Sequence, residues 1–97
     1  MSTLYILHRS PYSGSEMETA LRLAMPGDEI ILTQDAVLAL RSVPKEISIR
    51  EASRRKLKFY ALKADVNARS IKPIAGVKTI DYDDLVELLS QCESTFS

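Results

Sequence analysis

A single cysteine, Cys92, stands in 97 residues, and that scarcity closes off several classes of protein at once. No internal disulfide can form, and one cysteine with one histidine, His8, falls short of the ligand set of a structural zinc site. An excess of either charge is also missing. Thirteen basic side chains balance thirteen acidic ones, so no net field draws the chain to nucleic acid or to an anionic membrane. Long apolar runs are absent too. The patch at residues 4–7 is far shorter than a signal-peptide core or the roughly 20 residues of a spanning helix, and a cytoplasmic protein is the expectation. There is no P-loop, no GxGxxG and no nucleophile elbow, so neither nucleotide binding nor serine hydrolysis has a motif behind it.

What is there is an alternation of strands and helices. Residues 3–8 read as a short buried strand, with Leu4, Tyr5, Ile6 and Leu7 in near-continuous apolar succession. Ser10-Pro11 and Ser13-Gly14-Ser15 then break it with loop chemistry. Ser15 and Glu18 have the spacing of a capping box, opening a helix whose apolar face is Met17, Ala20, Leu21 and Ala24. Pro26-Gly27-Asp28 ends it. Residues 29–33 make a second strand; its unalternating Ile30, Ile31 and Leu32 suit a strand covered on both faces. Asp35 starts a short helix that carries Val37, Leu38 and Leu40 to about Ser42.

Pro44 interrupts the next segment, 42–56, and Ser48 with Glu51 offers a second capping box for a helix through Arg55. Its polar side carries Arg50, Arg54, Arg55 and Lys56. With no aromatic residues interleaved, that side reads as a solvated face rather than a phosphate-binding patch. The third strand is 57–62, followed by a short helix over 64–69, a loop through Pro73 and Gly76, and a fourth strand at 77–80. Asp81 and Asp84 begin a last helix with Leu85, Leu88, Leu89 and Cys92 on one stripe. The first two residues and 93–97 are expected to fray. The pattern predicts one α/β domain over 1–97, a small parallel sheet of about four strands with helices on both faces and right-handed crossovers.

Chemistry-bearing residues are few. His8 falls at the C-terminal end of the first strand, the edge where open α/β sheets bind ligands, with Ser10 nearby. Gln34 and Asp35 end the second strand on the same edge. A nucleophile and base also need an orienting acid and oxyanion donors, so this group reads as a strand-end or interface site, with no confident catalytic residue. Asp35 either orients His8 or caps its own helix. Cys92 is the candidate thiol, but it sits at a helix C-terminus beside Glu93, a setting that opposes ionisation. The acidic trio Asp81, Asp83 and Asp84 fits a helix start and lacks a calcium-loop pattern. No metal or cofactor is called for.

Four pieces in order, "LHRSP" at 7–11, "GDEIILTQDAV" at 27–37, "KFYALKADVNARSI" at 58–71 and "IDYDDLVEL" at 80–88, resemble the DsrH/TusB proteins of the DsrE/DsrF/DsrH-like sulfur-relay group. The resemblance implies a DsrEFH-like fold with flavodoxin-like topology. It also implies a cytoplasmic subunit that assembles with DsrE/TusD-like and DsrF/TusC-like paralogues, typically as a dimer of heterotrimers, with a homo-oligomer left open in their absence. Together with the lack of a well-placed thiol it points to a non-catalytic subunit. One branch of the group serves 2-thiouridine formation at the tRNA wobble position, the other dissimilatory sulfur oxidation. DsrH members of the second branch usually carry a cysteine where this chain has Ala20. Ala36 and Ser70 stand where the family often has glycine, which suggests local backbone differences. The family's C-terminal tryptophan is missing, leaving its packing role to Phe96. Alternatives that stay open are a sulfur carrier using Cys92 and a stand-alone ligand-binding domain around His8, Ser10 and Asp35.

Overall fold

The computed structural model describes residues 2–10, 15–41, 43–72, 74 and 76–96. The expected turn chemistry at Pro11, Ser13 and Gly14, and the loop position Pro73, lie outside them, as does Ser42. The elements run β1 (Thr3–Leu7), α1 (Glu16–Leu23), β2 (Glu29–Leu32), a 3-10 helix (Gln34–Arg41), α2 (Val43–Arg54), β3 (Lys58–Leu62), α3 (Lys63–Ala68), β4 (Val77–Ile80), α4 (Tyr82–Gln91) and β5 (Ser94–Phe96). All strand pairs are parallel, in the order β4-β3-β2-β1-β5.

Two expectations about the sheet are corrected. It has five strands, because Ser94, Thr95 and Phe96 pair with Thr3, Leu4 and Tyr5 instead of fraying. The Phe96 ring lies 5.5 Å from that of Tyr5, within the range where aromatic pairs attract. The strand order also departs from the 2-1-3-4-5 of flavodoxin. Here three successive crossovers step in one direction, and the fourth returns across the sheet to place β5 beside β1.

With right-handed connections, that return puts α4 alone on one face and the other helices on the opposite face. The core divides accordingly. The larger cluster joins Tyr5 and Leu7 of β1, Ile30 and Leu32 of β2, and Phe59 and Ala61 of β3 to Met17, Ala20, Val37 and Ile49 from the helices. The smaller one joins Leu4, Ile31 and Ile80 to Leu88 of α4, with Ile6, Tyr60, Leu85 and Cys92 packed around it. Every residue of β2 is buried, which is why its sequence does not alternate. Two acids are also buried here, Glu29 at the start of β2 and Asp28 just before it. Asp28 accepts from the backbone N–H of Thr3 at 3.0 Å and of Met25 at 2.8 Å, tying the start of β1 to the turn before β2.

Helix starts depart from the expected ones in two places. Ser15 precedes α1 but makes no side-chain cap bond. The helix at 48–55 begins earlier, as α2 at Val43. Pro44 then falls in the first turn, where its missing N–H costs no helical bond. Asp81 does form a capping box with Asp84: its carboxylate accepts from the Asp84 N–H at 2.9 Å, and Asp84 accepts in return from the Asp81 N–H. Ser70 has φ of +51°, a left-handed conformation that favours glycine. The backbone expected of glycine is thus kept here with a serine in it.

Candidate functional site

Parallel strands bring their C-terminal ends to one edge, and four of the residues singled out from sequence lie along it in two groups. His8 follows β1. Its backbone N–H donates to Glu16 Oε1 at 2.8 Å, as does that of Arg9 at 3.0 Å, and its ring Nδ1 lies 3.6 Å from Glu16 Oε2. Glu16, in the first turn of α1, therefore holds the strand exit through the backbone and places a carboxylate near the imidazole. Ser10 is half-buried beside this exit.

Gln34 and Asp35 follow β2 and form a second, separate group. Gln34 turns the chain with φ of +49°, and its N–H donates to Asp65 Oδ2 at 2.8 Å. Asp35 accepts from Arg69 Nη2 at 2.9 Å and Nε at 3.3 Å, and Arg69 Nη1 also lies 3.6 Å from Asp65 Oδ1. Asp35 therefore engages Arg69, the residue that ends α3. The acid beside His8 is Glu16, so neither role expected for Asp35 describes its contacts. Sequence reading missed Glu16, Asp65 and Arg69. The i,i+4 spacing of Asp65 and Arg69 just after a strand was a readable signal; nothing local marked Glu16.

The order of the sheet reverses between β1 and β5, and crevices at such reversals are the usual ligand positions in open α/β sheets. A cleft of about 410 Å³ opens there, lined by His8, Arg9, Ser15, Glu16, Thr19 and Phe96. Glu16, His8 and Arg9 line it without an activated nucleophile. Such a set can bind and orient a polar group; no step of covalent chemistry follows from it. Among the described residues no cluster of three or more His, Cys, Asp or Glu side chains could hold a metal.

Cys92 lies elsewhere. It caps the end of α4 against the first residue of β2, at the opposite end of the sheet from His8. Its Sγ–H donates to Glu29 Oε2 at 3.0 Å, and the Tyr60 hydroxyl donates to Glu29 Oε1 at 2.9 Å. Burial and the bond to Glu29 push the thiol above its ordinary pKa, while the Ser2 hydroxyl, 3.7 Å from the sulfur, pulls weakly the other way. Burial and the same carboxylate raise Tyr60 to about 12. Glu29 is the fourth missed residue: an acid opening an apolar strand gives no hint that two protons will be aimed at it.

No helix among the described residues is long and apolar enough to cross a membrane. The family profile described as "DsrH like protein" matches residues 9–95. Protein TusB of Shigella flexneri is 38% identical over 88 residues, covering 88% of each chain, and Protein TusB of Escherichia coli O81 gives the same identity and coverage. Among solved structures, the ychN protein of E. coli superposes with a TM-score of 0.85 at 17% identity, covering 99% of this chain and 97% of that one. Protein Tm0979 of Thermotoga maritima gives 0.63 at 25% identity, covering 92% of each. A profile matched along nearly the whole chain, with relatives at this identity and a shared fold, leads to one conclusion: the chain belongs to the DsrH/TusB family of sulfur-relay proteins.

Proposed function

We propose that this chain is a non-catalytic subunit of a cytoplasmic sulfur-relay complex, assembled with DsrE/TusD-like and DsrF/TusC-like paralogues and supporting 2-thiouridine formation at the tRNA wobble position. The observation that carries the reading is the state of Cys92. A sulfur carrier needs a thiolate, and this thiol is half-buried, donates its proton to Glu29 and is held above its ordinary pKa. Reactive sulfur then belongs to another chain. The strand-end group of His8, Ser10, Gln34 and Asp35 shapes a surface for subunit contact.

Co-expression with the cognate DsrE- and DsrF-like proteins tests this. The expected result is a single complex of all three on gel filtration, and thiolated tRNA lost when this chain is omitted but retained with Cys92→Ala. A chain that elutes alone beside its paralogues, or a Cys92→Ala complex that no longer thiolates, overturns the proposal.

A further inference from the structure

Two surfaces on opposite faces of the sheet share a design with inverted charge. On α4, Leu89 was expected on the packed stripe, but the helix is rotated so that Leu88 is buried and Tyr82, Val86 and Leu89 are 62, 64 and 40% exposed. These three stand at i, i+4 and i+7, forming one line along the helix. Residues 81–93 around them carry five carboxylates, Asp81, Asp83, Asp84, Glu87 and Glu93, and no basic side chain.

On the other face a groove of about 390 Å³ runs between the end of α1 and the end of α2, lined by Ala24, Pro26, Arg54, Arg55, Lys56 and Leu57. Arg55 Nη2 donates to the Leu21 carbonyl at 3.2 Å and fixes the two helix ends together. Leu23 and Met25 stand exposed beside the groove, and Ile47 is exposed two turns before Arg54 on the same side of α2. An apolar surface bordered by acids thus has its counterpart, an apolar surface bordered by bases, on the same chain.

We infer that copies of this chain associate head to tail, the Tyr82, Val86 and Leu89 line of one docking on the Arg54-bordered groove of the next. Charge complementarity selects the occupant: an apolar stripe set among five carboxylates is repelled by a second such stripe and attracted by the basic groove. Because the two surfaces lie on opposite faces, the contact is heterologous rather than two-fold symmetric. A ten-residue helix is about 15 Å long and offers less than the roughly 800 Å² per partner of a standard stable interface, so the association is weak and reversible. This inference does not depend on the paralogue complex.

Sedimentation velocity of the full chain over a range of concentrations is the test. At about 50 mM salt the mean mass rises past the monomer with concentration, and about 500 mM salt weakens the association as screening shortens. Val86→Lys and Arg54→Glu alter exposed side chains at the two surfaces, and circular dichroism checks that both variants fold. Each alone weakens association more than about tenfold, since like charges now meet. Their equimolar mixture associates more strongly than either variant alone, because the unaltered stripe of one meets the unaltered groove of the other and the altered pair brings opposite charges together. A wild-type chain that is monomeric throughout, variants that associate as the wild type does, or a mixture that stays monomeric would each overturn the inference.

Discussion

At the scale of single residues, Glu29 organises the only thiol. Its two oxygens accept from Cys92 and Tyr60, and both donors are favoured in their protonated forms. A group whose pKa is raised in the fold adds stability below its unfolded pKa and loses it as pH climbs to the folded value. For Tyr60 that window runs from 10.0 to about 12, and the Cys92 thiol adds a loss in the same direction. The urea midpoint is expected to fall through this alkaline range. In Glu29→Gln the negative charge is gone, so the thiol titrates lower, reacts faster with an alkylating agent near neutral pH, and the alkaline decline becomes shallower. An unchanged ultraviolet thiol titration in that variant would remove Glu29 from the account. The substitution also separates burial from the carboxylate's charge as the cause of the inert sulfur.

Among the elements, caps show where local sequence patterns can be read and where they mislead. Asp81–Asp84 and Ser15–Glu18 look alike on paper, yet only the first closes into a reciprocal box. Removing the Asp81 carboxylate by Asp81→Ala is expected to cost about 1 kcal/mol, while Ser15→Ala, with no side-chain bond to lose, shifts the unfolding midpoint little. Denaturant titration of both variants checks the contrast. Glu18, the acid that a box at Ser15 needs, instead accepts from Lys45 Nζ of α2 at 3.1 Å, a contact with a distant element that a helix-start pattern does not contain. Leu89 makes the same point for α4. Its spacing fitted the buried stripe with Leu85, Leu88 and Cys92, but a helix covering only part of a sheet face leaves one side of its apolar surface open.

For the whole molecule, the path of the sheet decides where a site can be. The return of the chain from β4 to β5 places the reversal of strand order beside β1, with His8 at its mouth and Phe96 as part of the wall. His8 is pinned through its backbone and faces solvent with its ring, so His8→Ala is expected to leave the unfolding midpoint nearly unchanged and to weaken assembly with the paralogues. Equal elution of wild-type and variant complexes on gel filtration would remove His8 from the contact surface.

The alternation of elements, the all-buried β2 and the presence of a single thiol were written in the sequence by itself, because they depend on neighbours within a few positions or on residue counts. What holds that thiol protonated, burial and Glu29 63 positions away, was not. Strand order, the pairing of the last three residues and the partners of His8, Asp35 and Glu29 were decided only by tertiary structure. Thr3 and Ser94 are 91 positions apart and still share a hydroxyl contact of 2.9 Å; Asp35 and Arg69 are 34 apart. Contacts over such separations are fixed by which strands lie side by side. Short-range periodicity is the same for every order in which those strands could be laid.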